Sequence, residues 1–130
     1  MKTDANFKNK LEKYFNYPVI VEGKKDVSSL EVVGFKRIYA IHQNSVSLGE
    51  RVEQIAFEIR RHGEKKVCIL TDFDKKGKEL YFLLKKLFQE QGVGIDSRLR
   101  SLLFRAGISH IEGLAGFIER EFGFNLFYRA

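Results

Sequence analysis

Asp72 and Asp74 stand one residue apart in Thr71-Asp72-Phe73-Asp74-Lys75-Lys76-Gly77, directly after the apolar run Val67-Cys68-Ile69-Leu70. Two carboxylates so close repel each other unless a cation or a basic partner lies beside them. Mg²⁺ suits such a pair, because it takes oxygen from one or two carboxylates and keeps several of its waters. Mn²⁺ is the alternative ion for the same oxygens. A third carboxylate, Glu22, follows the apolar run Val19-Ile20-Val21 and opens the turn Glu22-Gly23-Lys24-Lys25-Asp26. A glutamate beside a metal-holding aspartate pair is a constellation for phosphoryl transfer: the ion neutralises phosphate charge and the glutamate moves a proton. By itself an Asp-x-Asp turn is more often a solvated helix cap, so the weight falls on its coincidence with Glu22.

Such turns need strands that end side by side. Short apolar runs bounded by turn residues suit buried parallel strands, and open α/β sheets place ligands in the loops at the strands' carboxyl ends. Phe7, Leu11, Tyr14 and Phe15 predict an amphipathic helix over residues 4–16, with Asp4 as N-cap and Pro18 ending it. A first strand at Val19-Ile20-Val21 leads to a helix over residues 26–33, capped by Asp26 and closed by Gly34. Residues 36–42 read as a second strand, and Gln43-Asn44-Ser45 as a polar loop. Leu48, Val52, Ile55, Ala56 and Ile59 mark a helix that stops near Gly63. After the third strand and the aspartates, Leu80, Leu83, Leu84, Leu87 and Phe88 line a helix ended by Gly92 or Gly94. The remainder reads as a brief strand over 93–96, a basic helix over 97–106, a last short strand over 108–111 and a helix over 112–122. The alternation predicts an α/β domain, in which right-handed crossovers put both acidic turns on one edge of a mainly parallel sheet.

Around the turns, Lys24, Lys25, Lys75, Lys76 and Lys78 read either as phosphate contacts or as solvated balancing charge. Arg98, Arg100 and Arg105 share the basic helix and form a candidate RNA-facing stripe. His42 follows a strand, where a lone histidine is more often structural or surface than catalytic. Cys68, mid-strand, reads as core.

Val21-Glu22-Gly23-Lys24-Lys25-Asp26, followed by Leu30, resembles the glutamate motif of the Toprim domain. Leu70-Thr71-Asp72-Phe73-Asp74-Lys75-Lys76-Gly77 resembles its Asp-x-Asp motif, and both motifs fall on the right kind of turn in the right order. The family occurs in topoisomerases, bacterial-type primases, OLD-family nucleases and the maturases of 5S ribosomal RNA. The resemblance implies a Rossmann-like Toprim fold, an about four-stranded mainly parallel sheet flanked by helices. It assigns acid–base chemistry to Glu22 and metal binding to Asp72 and Asp74 with Glu22, while Asp26 matches a secondary acidic position. It spans residues 18–112, and the Glu112-Gly113-Leu114 segment is similar to an archaeal group of small stand-alone Toprim proteins. Two departures stand out: Gln43-Asn44-Ser45 lacks the glycine often found after the second strand, and Phe73 replaces a small residue or proline between the aspartates.

At 130 residues and 44% apolar, with a single proline, the chain reads as one domain, 1–130, whose core is extended by the 4–16 helix and by a 112–130 helix and tail. A net charge of +6 and a pI near 9.5 favour a polyanionic partner such as nucleic acid, and the resemblance, nearest in size and motif to the 5S ribosomal RNA maturases, implies RNA before DNA. Abundant surface Lys and Glu, as in thermophile proteins, is the other account of this composition. One cysteine permits no internal disulfide, and no apolar stretch approaches the roughly 20 residues that span a bilayer; with no signal-peptide core, the expectation is a cytoplasmic protein without membrane contact. Five tyrosines without a gate domain argue against a complete topoisomerase, and the lack of a zinc-ligand cysteine set argues against a complete primase. The apolar Phe124-Asn125-Leu126-Phe127-Tyr128 predicts packing on the body, a homodimer or a protein partner. The favoured activity is that of a Mg²⁺-dependent nuclease or phosphotransferase. The alternative is a non-catalytic RNA- or DNA-binding accessory module with a metal-competent site.

Overall fold

Alternation of side chains along two central strands divides the core into two layers. The computed structural model describes residues 6–43 and 45–123; the expectations for Asp4 and for the tail 124–128 lie outside them. Strand β1 (Pro18–Val21) is buried at every position, and β3 (Lys66–Ile69) at all but its first. Val19, Val21, Cys68 and Leu70 point into one layer, with α1 (Phe7–Glu12), α2 (Lys24–Val33), α5 (Arg98–Arg105) and α6 (Leu114–Phe122). Ile20, Val67 and Ile69 point into the other, against α3 (Leu48–Arg61) and α4 (Lys75–Glu90). Strands covered on both faces explain why their sequences are continuously apolar.

The sheet has four parallel strands in the order β2-β1-β3-β4, with β2 at Arg37–Ala40 and β4 at Gly94–Ile95. From β1 the chain first crosses outward to β2, then returns past β1 to β3. The carboxyl ends of β1 and β3 therefore flank the point where strand order reverses, the usual ligand crevice of such sheets.

Two local expectations need correction. Asp26 is not an N-cap: α2 starts two residues earlier, at Lys24, with Gly23 as its N-cap, and Asp26 reaches back from the first turn to accept the Gly23 N–H at 3.0 Å. Residues 108–111 are not a strand. They form a loop that leads into a 3₁₀ turn at Ile111–Gly113 and then α6, because their backbone groups bond to the aspartate turn instead of to a sheet edge.

Candidate metal and nucleic-acid site

Because β1 and β3 are neighbours, with Val19 opposite Cys68 and Ile20 opposite Ile69, their two acidic turns meet. The Asp72 backbone N–H donates to Glu22 Oε2 at 3.1 Å, a contact between residues fifty positions apart. Asp72 Oδ1 accepts the Ile111 N–H at 2.8 Å, which fixes the carboxylate from the α5–α6 connection. Asp74 caps α4, its Oδ1 accepting the Gly77 N–H at 2.8 Å. Its other oxygen, Oδ2, lies 3.8 Å from His110 Nε2.

One ligand atom each from Asp72, Asp74 and His110 lie within 4.8 Å of one another. In both aspartates a backbone N–H orients one oxygen, the kind of support that pre-aims a ligand. Two hard oxygens fit Mg²⁺ or Mn²⁺, and an imidazole at the third position extends the range toward other transition metals. The donor set thus fits a divalent cation.

The turn is braced from beneath. Thr71, fully buried, donates its hydroxyl to the Gly77 carbonyl at 2.6 Å. Gly77 passes so close that a Cβ there would stand 2.0 Å from the Asp72 carbonyl oxygen, so only glycine closes this turn. Phe73 donates its N–H to Ser109 O at 3.0 Å. Arg100 donates to the carbonyls of both Thr71 and Asp72, with its guanidinium 4.3 Å from the Phe73 ring centre and 4.6 Å from that of Tyr81. Burial lowers its pKa from the ordinary arginine value, while Tyr81, Asp72 and Glu22 act in the opposite direction.

The structure brings together Glu22, Asp72, Asp74 and Asp26, although Glu22 is outside the three-ligand group that includes His110. Asp26 is buried, and this burial, followed by the negative fields of Asp72, Glu22 and Glu112, raises its pKa against the lowering effect of the Gly23 N–H. Lys24, Lys25, Lys75, Lys76 and Lys78 are all exposed around the two turns. The arginines do not form one solvent-facing row. Arg100 is drawn inward, Arg105 is exposed, and Arg98 pairs with Asp96 at 2.7 Å beside a groove lined by Pro18 and Lys66, at the strands' amino ends. His42 donates its backbone N–H to Glu22 O at 3.0 Å, and its exposed side chain is not in the ligand group. His110 was not among the candidates read from the sequence, where residues 108–111 read as a strand and gave it no signal.

None of the described helices is long and apolar enough to cross a membrane. Residues 18–109 match the Toprim domain. The chain is 33% identical over 106 residues to a UPF0292 protein of Methanocaldococcus jannaschii, covering 79% of each chain. It is 31% identical over 111 residues to a UPF0292 protein of Archaeoglobus fulgidus, covering 83% of this chain and 82% of that one. A solved structure of a putative protein from Aquifex aeolicus shares the fold, with a TM-score of 0.66 at 23% identity over 86% of this chain and 98% of that one. Two acidic motifs meeting at the β1/β3 crevice are thus accompanied by a sequence match across the whole sheet, and the chain belongs to the Toprim domain family.

Proposed function

We propose that this protein binds Mg²⁺, or Mn²⁺ in its place, through Asp72 and Asp74 and acts on nucleic-acid phosphodiesters, RNA in preference to DNA, as a nuclease or phosphotransferase. The observation that carries the reading is the hydrogen bond from Asp72 to Glu22, which ties the proton-handling group to the metal-holding turn. When bound, the ion would neutralise charge on the phosphate and orient an oxygen for displacement. Glu22 has Oε2 held by the Asp72 N–H, so Oε1 is the oxygen that takes or returns the proton. Lys24, Lys25, Lys75, Lys76 and Lys78 surround the crevice and receive the flanking phosphates. Asp26 holds the Gly23 turn closed by accepting its N–H.

A second reading has support in the same contact: a glutamate engaged by a backbone N–H is also a structural bracket, as an accessory nucleic-acid-binding module would need. Incubation of structured RNA and of plasmid DNA with Mg²⁺ or Mn²⁺ separates the two. The catalytic reading expects cleavage that disappears in both Asp72→Asn and Glu22→Gln. Salt-sensitive binding without cleavage, preserved in both variants, would replace it with the accessory-module reading.

A further inference from the structure

Beside the aspartate turn lies an open groove of about 430 Å³ between α4 and α5. We infer that it holds an unpaired base of a single-stranded nucleic-acid segment, the neighbouring phosphates lying on Lys78 and Arg105. The inference rests on the proposed action on nucleic acid and narrows it to strands with unstacked bases.

Phe73, Tyr81, Phe82 and Phe104 line the groove. Phe82 and Phe104 remain 66% and 58% exposed, a large apolar surface for two side chains lining one groove. Phe104 lies 5.4 Å from Phe73 with its ring tilted by 48°, and the Arg100 guanidinium lies 4.3 Å and 4.6 Å from the ring centres of Phe73 and Tyr81. Exposed Lys78 and Arg105 also line it, so the apolar walls have positive charge beside them. Aromatic walls with adjacent cations match a nucleotide, a flat base on an anionic backbone, better than they match an apolar helix from a protein partner. Duplex bases are stacked on one another and cannot enter; unpaired ones can. Phe73 is the residue between Asp72 and Asp74, so a base seated here delivers its own strand to the carboxylates.

The probe is a short single-stranded RNA carrying one 2-aminopurine, whose fluorescence falls when it stacks on an aromatic ring, titrated in chelator so that cleavage cannot occur. Quenching is expected for the single strand and not for the same strand in a duplex. Phe104→Ala should weaken single-strand binding by about tenfold, within the range of one lost base–aromatic stack, with an unchanged salt slope. Phe104→Tyr should restore it. Because Phe104 is mostly exposed, the alanine variant should keep its thermal transition. Salt-sensitive binding without quenching and without an effect of Phe104→Ala would overturn the groove assignment and leave the proposed function standing. An absence of binding to any RNA or DNA would remove both. A dimer in sedimentation that Phe104→Ala dissociates would make the groove a contact between copies of this chain and overturn the inference.

Discussion

Gly77→Ala tests whether the aspartate turn is as tightly built as its hydrogen bonds imply. The added methyl would meet the Asp72 carbonyl oxygen at 2.0 Å and its carbon at 2.5 Å, both backbone atoms that cannot rotate away. Opening the oxygen contact even to 3.0 Å moves α4 or the Asp72 peptide by about 1 Å. Such a shift strains the bond from Gly77 N to Asp74 and the one from Thr71 to Gly77 O. Overpacking of this kind costs about 1–3 kcal/mol, and a damaged N-cap roughly 1 kcal/mol more. A loss of about 3 kcal/mol in a domain of this size lowers Tm by roughly 10 °C. Gly49→Ala is the control, since it lies in α3 with nothing within 4 Å of its new methyl; it should be neutral or stabilising by up to about 1 kcal/mol. Urea denaturation measures both. A Gly77→Ala protein within about 0.5 kcal/mol of the parent would refute the close-approach argument.

Arg100→Ala leaves the Thr71 and Asp72 carbonyls without their donor and should cost roughly 2–3 kcal/mol in urea melts; Arg100→Lys should recover less than half, because one ammonium replaces neither the fork nor the stack. For Asp26, a folded pKa raised above its ordinary 3.8 means the native state holds the proton to higher pH than the unfolded chain. Its contribution is therefore most favourable at low pH and is lost as pH rises through the folded value. In metal-free protein the Tm advantage of Asp26→Asn should grow from about zero near pH 3 to a positive value at pH 7, and a pH-independent gap would contradict this. Cys68, buried, has its thiol pushed up to about 12, so it should resist alkylation at pH 8 in the folded protein and react once urea unfolds it.

The strand–helix alternation and the placing of both acidic turns on one sheet edge were legible because both depend on local pattern: apolar runs, turn residues, and one rule of handedness. That β1 and β3 are neighbours, so that Glu22 meets Asp72, was not. Nor was the segment after Gly107. Ile108 and Ile111 look like alternate positions of a strand, yet Ser109 O and Ile111 N bond to the aspartate turn, a tertiary demand that no local pattern encodes. His110 was hidden for the same reason. Arg100, read as part of an RNA-facing stripe, is drawn inward by backbone carbonyls nearly thirty residues away, and carbonyls leave no mark in a sequence. Asp26 shows a smaller ambiguity: a cap at the first position and a back-reaching carboxylate three residues in differ only by where the helix starts.

The central claim is that Asp72 and Asp74 hold one divalent ion at the β1/β3 crevice. Calorimetric titration of metal-free protein with Mn²⁺ and with Mg²⁺ tests it most directly. The account predicts one ion per chain, binding abolished in Asp72→Asn and in Asp74→Asn, and a weaker Mn²⁺ affinity in His110→Ala with less change for Mg²⁺. Binding that survives both aspartate substitutions, or none in the parent protein, would contradict it.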